Sequence, residues 1–199
     1  MGINLADKGY QDVPASIPGE IVTLPPGGYV CNIVNADILS SKAGNLMIVL
    51  CLDIAEGDFL HFFKNATDSV RKFDLKKKWH NSGIYRQLIF TSDNRVSSFF
   101  KGLLTCIEYS NPSFHVNINN FEASDLCGLL CGFVFAAEEY EKRDGSIAER
   151  VVIKFPKAIE DIRRGNFKIP TTKKLEKTAA PTDKYDFGGS PVNDDDVPF

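Results

Sequence analysis

The chain ends in Asp194, Asp195, Asp196, Val197, Pro198 and Phe199. Three carboxylates precede an aliphatic residue, a proline and a phenylalanine whose own α-carboxylate adds a further negative charge. A phenyl ring beside a free carboxylate fits an apolar pocket that holds a basic residue, while the aspartates meet a basic rim. Pro198 fixes its own φ, so less entropy is lost on docking. A second set of residues is cationic and aromatic. Lys64, Arg71, Lys72, Lys76, Lys77, Lys78, Arg86, Arg95 and Lys101 are opposed in their stretch only by Asp68, Asp74 and Asp93. Among them lie Phe73, Trp79 and Tyr85, with Phe62 and Phe63 just before and Tyr140 further on. Cations that track phosphates and aromatic faces that stack on bases are the components of a surface for single-stranded nucleic acid. Phe62 and Phe63 are adjacent, so in a strand one faces the core and the other faces out, and the sequence leaves open which.

Other chemistry is less well supplied. Asp53, Glu56 and Asp58 lie close enough in sequence to hold magnesium as in a nuclease. Glu56-Gly57-Asp58 reads better as a turn, however, and Asp53 as a polar residue near a strand end. His61 and His80 lack an evident nucleophile, and there is no Walker-type phosphate loop. The expectation is a protein that is not an enzyme. Cys127 and Cys131, with His115 and Cys106 upstream, lack the second ligand pair of a zinc site, so neither metal nor other cofactor is expected. The five cysteines sit mostly in apolar segments, which fits buried thiols in a reducing compartment. No basic-then-apolar leader opens the chain and no apolar run reaches about 18 residues, so the expected location is cytoplasmic, in a bacterial host cell.

These residues need elements to position them. The chain has 199 residues, 43% hydrophobic and 25% charged, with a net charge of −3. That composition suits one folded domain with appendages. The acidic balance argues weakly against nucleic-acid binding, but the local cationic stretch can supply positive potential of its own. Residues 1–26 are proline-rich and read as an irregular arm. Alternation predicts a strand over 27–38, a turn at 40–45, a buried strand over 46–54, a turn at Gly57-Asp58 and a third strand over 59–64. A short helix is expected over 69–79. A longer one is expected over 93–109, capped by Ser92 or Asp93, with Phe99 and Phe100 in the core. Short strand candidates lie at 114–118. Strands are expected over 126–140, with Phe133 in the core, and over 148–155, joined by a hairpin at Asp144-Gly145, and a helical turn over 158–164. The folded domain is expected over 27–170. Residues 171–193 have the composition of a disordered linker that carries the acidic tip, 194–199.

Five antiparallel strands with a helix between the third and fourth make an OB-type barrel, so the expected fold class is mainly β with inserted helices, an OB-like barrel and a disordered acidic tail. Such barrels bind along strands two and three and with the loops 1–2 and 4–5. Here those loops supply Lys42, Lys142 and Arg143. The C-terminal tip resembles that of bacterial single-stranded DNA-binding proteins, which end in several Asp, an aliphatic residue, Pro and Phe, and use it to recruit replication, repair and recombination proteins. Residues from about 27 to 172 resemble a family of phage and prophage proteins described as single-stranded DNA-binding. The likeness is carried by Phe100-Lys101, Ile107-Glu108-Tyr109-Ser110-Asn111-Pro112, Leu130-Cys131-Gly132, Glu138-Glu139-Tyr140, Asp144-Gly145 and Ile162-Arg163-Arg164-Gly165-Asn166-Phe167-Lys168-Ile169-Pro170. It implies an OB-type binder of phage replication or recombination that coats single-stranded DNA. The bacterial OB domains lack a segment as long as 68–109, so their tetrameric assembly is not carried over, and homo-oligomerisation stays open. The alternatives are a recombination accessory or scaffold that binds proteins rather than DNA, and a small metal-dependent nuclease.

Overall fold

The computed structural model describes residues 23–71 and 78–175. Five strands form one antiparallel sheet: β1 (Gly27–Ser40), β2 (Leu46–Ile54), β3 (Ile84–Leu88), β4 (Leu130–Glu141) and β5 (Ile147–Lys157). Their order is β3-β2-β1-β4-β5, so β1 lies at the centre and β3 and β5 are the two edges. Every neighbouring pair is antiparallel, and β1, β3 and β5 therefore run one way while β2 and β4 run the other. Three helices accompany the sheet: α1 (Phe62–Arg71), α2 (Ser98–Ser110) and α3 (Ile159–Arg163).

Alternation explains which residues enter the core. Cys31 and Ile33 of β1, Ile48, Leu50, Leu52 and Ile54 of β2, and Cys131, Phe133 and Phe135 of β4 share one buried cluster. A register shift between Ile33 and Asn35 lets β1 bend, and Ala36 then continues the same face. From α2 the cluster takes Phe100, Leu103 and Ile107, the inward set of a helical spacing. A second, smaller cluster lies on the opposite face of the sheet. There Val30 and Val134 pack beneath Ile159 and Ile162 of α3.

The third strand is not at 59–64. That stretch is a turn leading into α1, with His61 at φ +61° and Leu60 N donating to Gly57 O at 3.1 Å. The cause is Asp53, at the end of β2, which is 3% exposed. Its Oδ1 accepts from the backbone N–H groups of Phe63 and Lys64, both at 3.1 Å. Those N–H groups open a helix and lack intrahelical partners, so a buried carboxylate beside them favours the helical path. The helix expected over 69–79 begins earlier, at Phe62, and ends at Arg71; residues 72–77 lie outside the described residues. The longer helix begins at Ser98 rather than near 93. Phe90 and Val96 bridge across a turn closed by Thr91 N to Arg95 O at 2.8 Å, and this turn holds Ser92 and Asp93 away from the helix. Residues 114–118 form no strand. The expected hairpin stands: Lys142 N donates to Ser146 O at 2.8 Å across Asp144-Gly145.

β4 runs past the start of β1, so its lower half has no β1 partner. The chain returns to fill that edge. Glu139 N donates to Lys173 O at 2.9 Å, and Lys173 bridges Glu138 in the parallel sense. An open edge of this kind is otherwise a site for unwanted pairing.

Two glycines let the second layer sit close. A Cβ on Gly132 would meet Ile162 Cγ1 at 2.4 Å and Lys157 O at 2.8 Å, and one on Gly28 would meet Phe167 Cζ at 2.4 Å. Gly132→Ala is expected to push α3 off the sheet and cost about 1–3 kcal/mol of stability, the range of overpacking. Urea unfolding should show a lower midpoint; an unchanged midpoint would contradict this tight fit.

Candidate nucleic-acid interface

β2 is buried on both sides. Ile48, Leu50 and Leu52 face the core, yet Val49 and Cys51 on the opposite side are only 1% and 6% exposed. Arg71 at the end of α1 and Arg86 on β3 both act electrostatically on Cys51, which also feels Asp37. Burial, reinforced by Asp37, pushes the Cys51 thiol up to about 11 against the pull of the two arginines. Register sets Arg86 opposite Val49, on the outer side of β3. The chain leaves α1 at Arg71 and is described again at Lys78 and Trp79, where Trp79 Nε1 donates to Leu52 O at 3.0 Å. Lys72, Phe73, Lys76 and Lys77 lie between these points, outside the described residues, as do Asp194, Asp195, Asp196, Val197, Pro198 and Phe199.

Three expected base-stacking aromatics are instead structural. Phe63 is fully buried and stacks on Phe135 with ring centroids 6.0 Å apart. Of the adjacent pair, it is therefore Phe62 that is nearer the surface, though it too packs half-buried against the core. Tyr85 is 7% exposed and tilted on Phe133, because β3 turns its odd positions inward. Burial pushes its phenol up to about 12. Trp79 packs half-buried against the main cluster. Lys64 is exposed but bound to Asp68 at 2.9 Å, one helical turn on.

The remaining expected residues surround the two sheet edges. β3 and β5 run parallel and flank a crevice of about 190 Å3. Its walls include Ile84 and Arg86 from β3, Arg150 and Val152 from β5, and Asn81 and Ser82 from the turn before β3. The Arg150 guanidinium lies 5.2 Å from the centre of the Tyr140 ring, a cation–π distance. Glu138 orients it, accepting from Arg150 Nε at 3.0 Å and from Lys154 Nζ at 2.9 Å. Burial works against the Glu138 charge, but these two donors hold its carboxyl below the usual range. The cation–ring pair is thus supported by a carboxylate that carries one charge against two.

Lys42 sits in the exposed turn between β1 and β2, and Lys142 and Arg143 in the exposed turn between β4 and β5. Strand directions put these turns at opposite ends of the sheet, so they flank the surface between them. Asp144 is drawn into its own turn by Ser146, whose Oγ and N donate to it at 2.6 and 2.9 Å and hold its carboxyl low.

Sequence reasoning missed Arg150 and Lys154, and placed Phe99 in the core. Phe99 is 75% exposed. The inward stripe of α2 runs through Phe100, Leu103 and Ile107 with Leu104 beside it, and Phe99 falls off that stripe. With Leu88, Phe90 and Val96, Phe99 belongs to an exposed apolar strip along β3 and the start of α2.

The acidic trio is dispersed. Asp53 is occupied by α1 and by His61 Nδ1 at 3.0 Å, and Glu56 by Arg163. Among the described residues no three His, Cys, Asp or Glu side chains are grouped to hold a metal ion. Cys127 is exposed while Cys131 is buried in the core. No helix among the described residues is long and apolar enough to cross a membrane.

Trp79→Phe is expected to keep the ring packing but to remove the donor to Leu52 O, costing about 1 kcal/mol of stability. It should leave nucleic-acid affinity unchanged; a binding loss without a stability loss would return Trp79 to the interface. Comparison with known proteins found no family model that matches the chain and no curated protein similar to it.

Proposed function

We propose that this is a non-catalytic single-stranded DNA-binding protein whose sheet forms an OB-type barrel, and whose acidic tip recruits replication, repair or recombination enzymes. On this reading it coats phage DNA during replication or recombination in the bacterial cytoplasm. The observation that carries the reading is the crevice between the parallel edges β3 and β5, flanked by Arg86 and by Arg150 on Tyr140. The strand order supports a barrel, because a five-stranded antiparallel sheet whose edges run parallel and face each other needs only to curl for them to meet. Cations with a half-exposed ring beside them are what phosphates and bases require. Lys42 at one end and Lys142 at the other extend the positive potential without forming a salt bridge among the described residues.

A second reading, a protein-binding scaffold, is favoured by one observation: the exposed strip of Leu88, Phe90, Val96 and Phe99, an apolar patch suited to a protein partner.

Fluorescence anisotropy with oligo-dT separates them. The DNA reading expects tight, salt-sensitive binding of oligo-dT and weaker binding of a duplex. Arg86→Ala with Arg150→Ala should weaken oligo-dT binding about ten-fold and reduce the salt slope by roughly 0.7 per lost phosphate contact. No binding by the wild-type chain would favour the scaffold. Removal of the last six residues should abolish capture of partner enzymes from bacterial lysate and leave the thermal midpoint unchanged. Phe199→Ala should abolish capture while keeping the aspartates. Equal capture by all three proteins would end the proposed role of the tip.

A further inference from the structure

We infer that the single strand does not cross the face of β2 and β3 but runs lengthwise along the outer face of β5, from the Arg150–Tyr140 pair to a second, base-binding groove beside α3. This inference rests on the single-stranded DNA reading and adds a site to it.

The usual crossing is obstructed. The outward residues of β2 are buried, so bases laid across that strand would find no open surface. The outer face of β5 is different. Register assigns it the residues opposite even-numbered positions of β4: Ala148 opposite Tyr140, Arg150 opposite Glu138, Val152 opposite Ala136, Phe155 opposite Val134 and Lys157 opposite Gly132. Phe133 and Phe135 of β4 point to the core, so this set points away from it. The register shift between Val134 and Phe135 keeps Phe155 and Lys157 on that same side. Lys154, at the shift, reaches the same face, since its Nζ meets Glu138 at 2.9 Å. The resulting stripe carries Arg150, Lys154 and Lys157 with a ring toward each end, Tyr140 and Phe155, over roughly 30 Å, at about 3.3 Å per residue.

At its upper end the stripe opens into a groove of about 460 Å3 lined by Phe155, Lys157, Gly165, Asn166, Phe167 and Lys168. No carboxylate lines it. Most other cations near α3 are neutralised: Arg163 by Glu56 and Arg164 by Glu160. Lys157 and Lys168 form no salt bridge among the described residues. The two phenylalanine rings are half-buried, each anchored in the small cluster under α3, so they are held rigid. Asn166 is fixed in place, its Nδ2 donating to Asp161 Oδ1 at 3.0 Å. Rigid rings, an amide and two uncompensated lysines match a nucleobase with its flanking phosphates, and the volume falls within the range of small-ligand pockets.

The experiment uses the full chain and a variant carrying Lys157→Glu and Lys168→Glu, with oligo-dT as probe. The expected result is an affinity loss of about ten-fold or more and a salt slope reduced by roughly 1.4, with an unchanged thermal midpoint. Phe167→Leu keeps an apolar group against Gly28 but removes the ring face, and it should also weaken oligo-dT binding. Wild-type binding together with unchanged affinity and slope in the charge variant would overturn this path while sparing the crevice reading. No wild-type binding would overturn both. If dTMP saturates the groove as tightly as oligo-dT does, the site serves a free nucleotide and the continuous path is wrong. If a peptide of the last six residues binds the wild type but not the charge variant, while oligo-dT binds both alike, the groove serves an acidic peptide and the inference fails.

Discussion

The buried carboxylate of Asp53 governs the layout of this molecule. It accepts two backbone N–H groups at the start of α1 and the imidazole of His61, so its lone pairs are well used in a dry setting. An unpaired buried carboxylate would cost several kcal/mol, and satisfying it requires the chain after β2 to turn into a helix. The chain therefore cannot continue as a hairpin. The third strand is postponed to Ile84–Leu88. The segment between β2 and β3 then carries α1, whose Phe63 packs into the main core. A side chain at a strand end thus decides the path of the chain after β2.

The parts of the fold read correctly from sequence are those whose signal is local. β1, β2, the Asp144-Gly145 hairpin and β5 follow from alternation and turn chemistry, and helical spacing places Phe100 in the core but wrongly places Phe99 there too. The misread part, 59–64, depends on a contact between residues ten and eleven positions apart that no window of alternation contains. Phe59, Phe62 and Phe63 look like a strand by composition, but their rings are used edge-to-face around Tyr29 and against Phe135. The candidate site was legible as a kind of chemistry more than as a place. Lys42, Arg86, Tyr140 and Lys142 lie on accessible or half-accessible surface, while Tyr85 and Trp79 are drawn inward because strand phase and an indole N–H partner outweigh proximity to lysines. Arg150 and Lys154 were invisible because their meaning comes from Glu138, across a strand pair.

The electrostatics follow a consistent division. Around the α3 end, two arginines and two glutamates form a linked set, Glu56–Arg163–Glu160–Arg164, in which the charges balance. On β5, one glutamate serves two cations, so positive charge is left over and its position is fixed. An overall acidic chain can present a positive stripe in this way.

The parallel bridge of Lys173 to β4 has a mechanical meaning. Any partner held by residues beyond Leu175 pulls on the body through that bridge, because Lys173 is bonded to Ala137 and Glu139 and Leu175 N to the Glu139 carboxylate. Load then enters at the lower edge of β4, beside the 141–147 turn, instead of at the buried core. Two or three hydrogen bonds at an exposed edge are the weakest link in that line. Under tension they open before the sheet does and pay out several residues of slack, each worth about 3.4 Å. The anchor therefore works as a mechanical fuse between a load on the C-terminal segment and the sheet.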